Sequence, residues 1–171
     1  DELLSHLLEQ FGWYVGAGLD EDAAAERAIR EFGEPDALGR DLRDAFRGRF
    51  DYVAGVEARG FLMAGAVAYT SGVGLIPVRK AGKLPRETYR EEYVLEYGSA
   101  VLEIHTDDVP RGARVLVLDD ILATGGTLGA TAQLLHRAGL HVAGFGLIME
   151  LTDLRGRSQL GGHRVRALYR V

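Results

Sequence analysis

Two adjacent carboxylates, Asp119 and Asp120, end the apolar run Val115-Leu116-Val117-Leu118 and precede Ile121-Leu122-Ala123 and then Thr124-Gly125-Gly126-Thr127. These residue types in this order suit a phosphate beside a diol. A loop of small residues entering a helix aims several backbone N–H groups, two Thr hydroxyls and the positive end of the helix dipole at one phosphate. Glycine lets that phosphate come close. Carboxylates at the carboxyl end of a parallel strand lie where open α/β sheets bind ligands, and they can hold ribose hydroxyls directly or through a hydrated magnesium ion. A ribose 5-phosphate meets both requirements. Other phosphate loops do not fit, because the chain has neither a Gly-Lys-Ser/Thr sequence nor a GxGxxG sequence. An ordinary polar turn would explain the hydrophobic run, but not two consecutive acids before a Thr-Gly-Gly-Thr.

The elements that must position these groups follow from periodicity. The unbroken run Val115 to Leu118 reads as a strand buried on both faces, and Leu128, Ala132, Leu134 and Leu135 read as a helix that stops near Gly139. Upstream, Tyr52 to Val56 is a short strand and a helix begins at Gly60. Between them sits Glu57-Ala58-Arg59-Gly60, where amides at a helix entrance and one Arg suit an anion. Ile76 to Lys80 is the next strand, and it runs into a long polar segment, Ala81 to Glu92. Arg79, Lys80, Lys83, Arg86 and Arg90 make this region basic enough to serve a polyanionic small molecule. So long a segment without apolar periodicity is a disordered insertion or a lid, and its basic residues favour a lid that keeps water from an activated sugar. Val94 to Gly98 and Val101 to His105 should pair as a hairpin, with Glu103 and His105 on its exposed face. Val142 to Leu151 and Val165 to Val171 are further strands. The expected fold is α/β: a twisted, mostly parallel sheet flanked by helices, with a small antiparallel lid hairpin and a helical N-terminal cap.

That cap comprises residues 1–36. Leu3, Leu4, Leu7, Leu8 and Phe11 recur at helical spacing, Asp20 is placed to cap a second helix, and Gly33-Glu34-Pro35 ends it before a third helix runs through Leu38, Leu42 and Phe46. Nothing in it carries evident chemistry; a charged, Ala-rich helical pair is a scaffold or an interaction element. Composition bounds the rest. The 171 residues suffice for one domain, 47% hydrophobic and 26% charged. No apolar run is long enough to span a membrane, and no signal peptide is visible. The absence of Cys removes thiol catalysis, disulfides and zinc-thiolate sites together and fits a reducing cytoplasm. A net charge of -5 argues against nucleic acid as a partner, and the five His are too scattered for a zinc site. The chain begins at Asp1 rather than Met, as a fragment or a processed chain would.

The stretch Val115 to Thr127 resembles the phosphoribosyl pyrophosphate motif of type I phosphoribosyltransferases. Val53 to Ala64 (VAGVEARGFLMA), Ile76 to Gly98 and Leu102 to Thr127 narrow the resemblance to the adenine phosphoribosyltransferase branch, over residues 37–171. The resemblance implies transfer of a 5-phosphoribosyl group from phosphoribosyl pyrophosphate to adenine, giving AMP and pyrophosphate, with Mg2+ as cofactor in a cytoplasmic homodimer. It implies that Ala123, Thr124, Gly125, Gly126 and Thr127 hold the 5-phosphate. Asp119 and Asp120 would face the ribose, meeting the metal only through water or the ribose hydroxyls. Arg59, Arg79, Lys80 and Lys83 would meet the pyrophosphate, one or more of them reaching across from a second subunit. Glu96 of the Leu-Glu-Tyr-Gly segment would handle a proton beside adenine N7, Tyr97 would pack near the ribose or pyrophosphate, and Leu151 would pack on the adenine plane. The family usually opens with a Phe/Tyr-Pro-x-Pro-Gly-x-x-Phe-x-Asp segment, part of a hood over the base, and this chain has no such segment. Its place is taken by residues that look like a small helical module of bacterial regulatory membrane proteins. Two alternatives therefore stand beside the enzyme: a sensor that binds phosphoribosyl pyrophosphate or a nucleotide without turnover, and a purine phosphoribosyltransferase of altered base preference.

Overall fold

The computed structural model describes residues 13, 15–20, 23, 35–94 and 99–171. The chain divides into two compact units, Asp1–Leu38 and Gly39–Val171. In the first, the Asp20 carboxylate accepts the Ala23 N–H at 2.8 Å, the cap its residue type suggested. The helices read over Leu3 to Phe11 and over Ala24 to Phe32 lie outside the described residues.

The second unit is built on a seven-stranded sheet. Helix α1, Pro35–Ala45, whose first turn falls in the first unit, starts on a proline that needs no N–H partner there, and its second half leads Leu42 and the following Phe46 into the core of the second unit. Then come β1 (Tyr52–Val56), α2 (Gly60–Ser71), β2 (Gly74–Lys80), β3 (Thr88–Val94), β4 (Ser99–His105), β5 (Arg114–Leu122), α3 (Gly126–Arg137), β6 (His141–Glu150) and β7 (Val165–Arg170), with two short 3-10 turns, Thr152–Leu154 and Gly156–Leu160, before the last strand. The spatial order is β3-β4-β2-β1-β5-β6-β7. Pairs β2–β1, β1–β5, β5–β6 and β6–β7 are parallel, while β4 runs antiparallel to both β3 and β2. The expected mostly parallel sheet with an antiparallel hairpin is what forms.

The two-sided burial of β5 explains its sequence. Val115 and Val117 enter the core on the α3 side with Leu134, Leu135, Phe145 and Leu147, while Leu116 and Leu118 enter the other with Leu42, Phe46, Val53, Ala64 and Val67. A strand covered on both faces has no polar side to alternate with.

Three expectations are corrected. The central strand does not stop before its acids: β5 continues through Asp119 and Asp120 to Leu122, paired with β6 as far as Leu122↔Glu150. The polar segment Ala81 to Glu92 is not one long lid, because strand pairing begins at Thr88 opposite His105 and only residues 81–87 form a loop. Glu103 is not on an exposed face; it is 1% exposed, because that loop folds over its side of β4 and its carboxylate accepts the N–H groups of Lys83 and Leu84, each at 3.0 Å.

Candidate active site

The carboxyl ends of β1 and β5, the two neighbours at which chain order reverses in the parallel part of the sheet, open on a cleft of about 520 Å³. The βα turns after both strands supply its floor. After β1, Glu57-Ala58-Arg59 leads directly into α2. A Cβ at Gly60 would lie 2.6 Å from the Leu118 carbonyl oxygen, so only glycine lets the head of this helix press against β5. That approach brings Arg59 to the acids, and its Nε donates to Asp120 Oδ2.

After β5, Ala123, Thr124 and Gly125 lead into α3, with Gly125 at its head in the left-handed region (φ 85). No side chain caps the helix. The amides of Gly126, Thr127 and Leu128 therefore belong to a first turn with no carbonyl of its own to meet, and all three residues line the cleft. Such a terminus, with Thr124 and Thr127 beside it, is built for an anion.

Electrostatics divide the cleft. Burial, then the neighbouring Asp120 charge, pushes Asp119 up to about 8, only partly offset by Arg59. On the other flank, the nearly buried Glu57 carboxylate gathers the cations. It accepts from Arg79 Nε at 3.3 Å, from the Lys80 backbone N–H at 3.0 Å and from the Lys83 ammonium. Burial raises the Glu57 pKa, but these donors outweigh it and hold the group below the ordinary value.

Of the residues named from sequence, Arg59, Lys80, Asp119, Asp120 and Ala123 through Thr127 line this one cleft. Arg79 and Lys83 are not in its lining but reach Glu57, which is. Leu151 is also outside the lining: it lies at the end of β6, its N–H bonded to the Leu122 carbonyl at 2.9 Å. Glu96 and Tyr97 fall outside the described residues. The cleft also includes residues that sequence reasoning did not single out: Glu57, and Tyr93, Ala100 and Leu102 of the hairpin. For Glu57 the signal was present, an acid just past a buried strand facing three basic residues at the end of the next. Among the described residues no cluster of three or more His, Cys, Asp or Glu could cage a metal ion.

Residues 35–160 match the phosphoribosyl transferase domain family. The chain is 65% identical over 130 residues to an adenine phosphoribosyltransferase of Arthrobacter sp. (strain FB24), covering 76% of this chain and 70% of that one. Among solved structures it resembles adenine phosphoribosyltransferase from Thermoanaerobacter pseudethanolicus (TM-score 0.78, 43% identity, 90% of this chain and 88% of that one). It also resembles the enzyme of Saccharomyces cerevisiae, solved with an imino-altritol bisphosphate and adenine (TM-score 0.73, 41% identity, 78% and 76%).

Proposed function

The chain belongs to the phosphoribosyltransferase family, in its adenine phosphoribosyltransferase branch, and on that premise we propose how its cleft transfers a 5-phosphoribosyl group from phosphoribosyl pyrophosphate to N9 of adenine. One observation carries the reading: the Thr-Gly-Gly-Thr loop, the paired aspartates and the Arg59 turn, distant in sequence, line a single cavity. The amides and hydroxyls of Ala123 to Thr127 hold the 5-phosphate. Asp119 and Asp120 accept from the ribose hydroxyls. Arg59 and Lys80, with Arg79 and Lys83 exchanged from Glu57, meet the pyrophosphate. With both ends of the donor fixed, the C1–oxygen bond breaks ahead of C1–N9 bond formation, in a dissociative displacement that needs no protein nucleophile. The basic groups take up the charge that gathers on the departing pyrophosphate. Glu96 handles the proton at the base, Tyr97 packs near the sugar or pyrophosphate, and Leu151 lies towards the base. AMP and pyrophosphate leave.

Magnesium fits this donor set as a companion of the substrate. An ion that keeps several waters and binds mainly the substrate phosphates needs no protein cage, and Asp119 and Asp120 would meet it through water or the ribose hydroxyls. When bound, it supplies charge neutralisation on the pyrophosphate.

The reading takes the enzyme to be a homodimer in the cytoplasm. Support for self-association lies on α2, where Leu62 is 80% and Tyr69 90% exposed, seven residues apart on one face, with Leu75 of β2 also exposed. Sedimentation of Leu62→Asp/Tyr69→Asp should show monomers. The activity is tested by purified protein with magnesium, phosphoribosyl pyrophosphate and each purine base, read as pyrophosphate release. Turnover with adenine alone supports the reading; turnover with another base indicates altered preference, and binding without turnover indicates a sensor.

A further inference from the structure

The phosphate loop does not rest on the sheet alone. Beneath it lies the 3-10 turn Gly156–Leu160, and the two meet backbone to backbone. A Cβ on Gly125 would run into the Gly156 carbonyl oxygen, and a Cβ on Gly156 would run into the Ala123 carbonyl oxygen and lie 3.1 Å from the Gly125 nitrogen. One turn further along α3, a Cβ on Gly129 would lie 3.1 Å from the Gln159 carbonyl oxygen. The closest atoms across this contact are backbone carbonyls, with Leu122 Cδ1 and Gln159 Cβ packed beside them, so a shift of the turn is passed to the loop. Leu160 anchors the far end of the turn in the core.

The near end is held by one ion pair. Arg157 donates Nε to Glu150 Oε1 at 2.5 Å and Nη2 to Glu150 Oε2 at 2.6 Å. Glu150 is buried as the last residue of β6, where it pairs with Leu122 of β5, the residue just before the loop. A two-point guanidinium–carboxylate contact fixes orientation as well as distance. It ties the support of the loop to the strand from which the loop springs.

We propose that Arg157 and Glu150 are positioning residues for 5-phosphate recognition, acting through the Gly156–Gly125 contact; the proposal rests on the phosphoribosyl-transfer reading of the cleft. Neither residue is part of the cleft lining. Their effect should therefore fall on affinity for the sugar phosphate and not on the base.

Arg157→Gln and Arg157→Lys test this. Arg170 also reaches Glu150, at 3.1 Å, so neither change leaves the carboxylate without a cation, and both variants should fold. For Arg157→Gln we expect KM for phosphoribosyl pyrophosphate and Kd for ribose 5-phosphate, measured by calorimetry, to rise together by about tenfold. KM for adenine should stay within about twofold, and Arg157→Lys, with charge but no fork, should fall between. A lowered melting temperature with unchanged ribose 5-phosphate affinity in both variants would show a purely structural pair and overturn the proposal. So would an equal rise in KM for both substrates. If the parent protein binds ribose 5-phosphate but turns over no purine, the transfer reading fails, while the comparison of affinities still decides the positioning role. A parent that binds no ribose 5-phosphate overturns both.

Discussion

Removing the Glu103 carboxylate should loosen the loop that carries Lys83 and leave the sheet standing. Its Oε1 takes two backbone N–H groups at 3.0 Å, and its Oε2 lies 3.4 Å from both Thr88 Oγ1 and Arg90 Nε. Hydrogen bonds to a charged group contribute about 1.5–3 kcal/mol each, and an amide left buried without its acceptor costs a similar amount. For Glu103→Ala, two such bonds less the relieved desolvation of the carboxylate give a net loss of about 2–4 kcal/mol, or a melting point lower by about 4–16 °C in a chain of this size. Glu103→Gln keeps an acceptor and should lose about 1–2 kcal/mol. The pH dependence carries a definite sign. Burial pushes Glu103 up, but the amides of Leu84, Gly82 and Lys83 together with Arg90 outweigh it, so its folded pKa lies below the ordinary value. A depressed carboxyl contributes stability that is present above the unfolded pKa, about 4.3, and is lost as pH falls through the folded value. Urea unfolding of parent and Glu103→Gln from pH 8 downwards should show a constant gap that closes on acidification below about 4.3. A gap that ignores pH, or a Glu103→Ala variant within about 0.5 kcal/mol of the parent, would refute this account of the loop.

Asp119 carries the opposite sign: with a folded pKa raised to about 8, stability present at low pH is lost as pH rises from the ordinary carboxylate value through 8. Asp119→Asn should therefore gain on the parent across that window, by a few kcal/mol at most, in a series of melting temperatures against pH; a flat difference would refute the burial assignment. Gly125→Ala meets both a left-handed backbone and the Gly156 carbonyl. It should lose about 2 kcal/mol or more of stability and raise KM for phosphoribosyl pyrophosphate at least tenfold, and an unchanged KM would place the 5-phosphate elsewhere. Glu96→Gln should slow turnover by about 10²-fold with little change in phosphoribosyl pyrophosphate affinity, whereas Asp120→Asn should weaken that affinity; the reverse pattern in steady-state kinetics and calorimetry would exchange their roles.

Much of the core was legible in the sequence because β5 is covered on both sides, and Val115 to Leu118 can be nothing but apolar under two layers of helix. The loop at Gly125 was legible as a helix entrance for a different reason: its left-handed backbone and close approach to Gly156 need a glycine, and residue type alone reports that. The extent of β5 was not legible, since Asp119 and Asp120 break the apolar run while main-chain pairing to β6 continues. Glu103 shows the limit of alternation, which tells which residues share a face of a strand but not what lies over that face. The basic residues at the end of β2 were visible as charge, yet their arrangement is set by Glu57, which is 23 residues from Lys80 in the chain and beside it in space. Arg157 and Glu150 gave no signal, because what they do depends on two glycines meeting across separate elements. The parts assigned to Glu96 and Tyr97 came from resemblance alone.

The two walls of the cleft hang from the molecule differently. One is continuous with five parallel strands, while the other, carrying Tyr93, Ala100 and Leu102, pairs with them edge to edge at Arg79↔Glu103 and Lys80↔Leu102 and is held besides by Leu102 and Ile104 in the core and by Arg137 of α3 on Glu91. Insertions, deletions or exchanges at the tip of that appended ribbon leave the register of β1, β5 and β6 untouched. Substitutions on the hairpin side of the cleft can therefore reshape that wall while the Thr-Gly-Gly-Thr side keeps its place after β5.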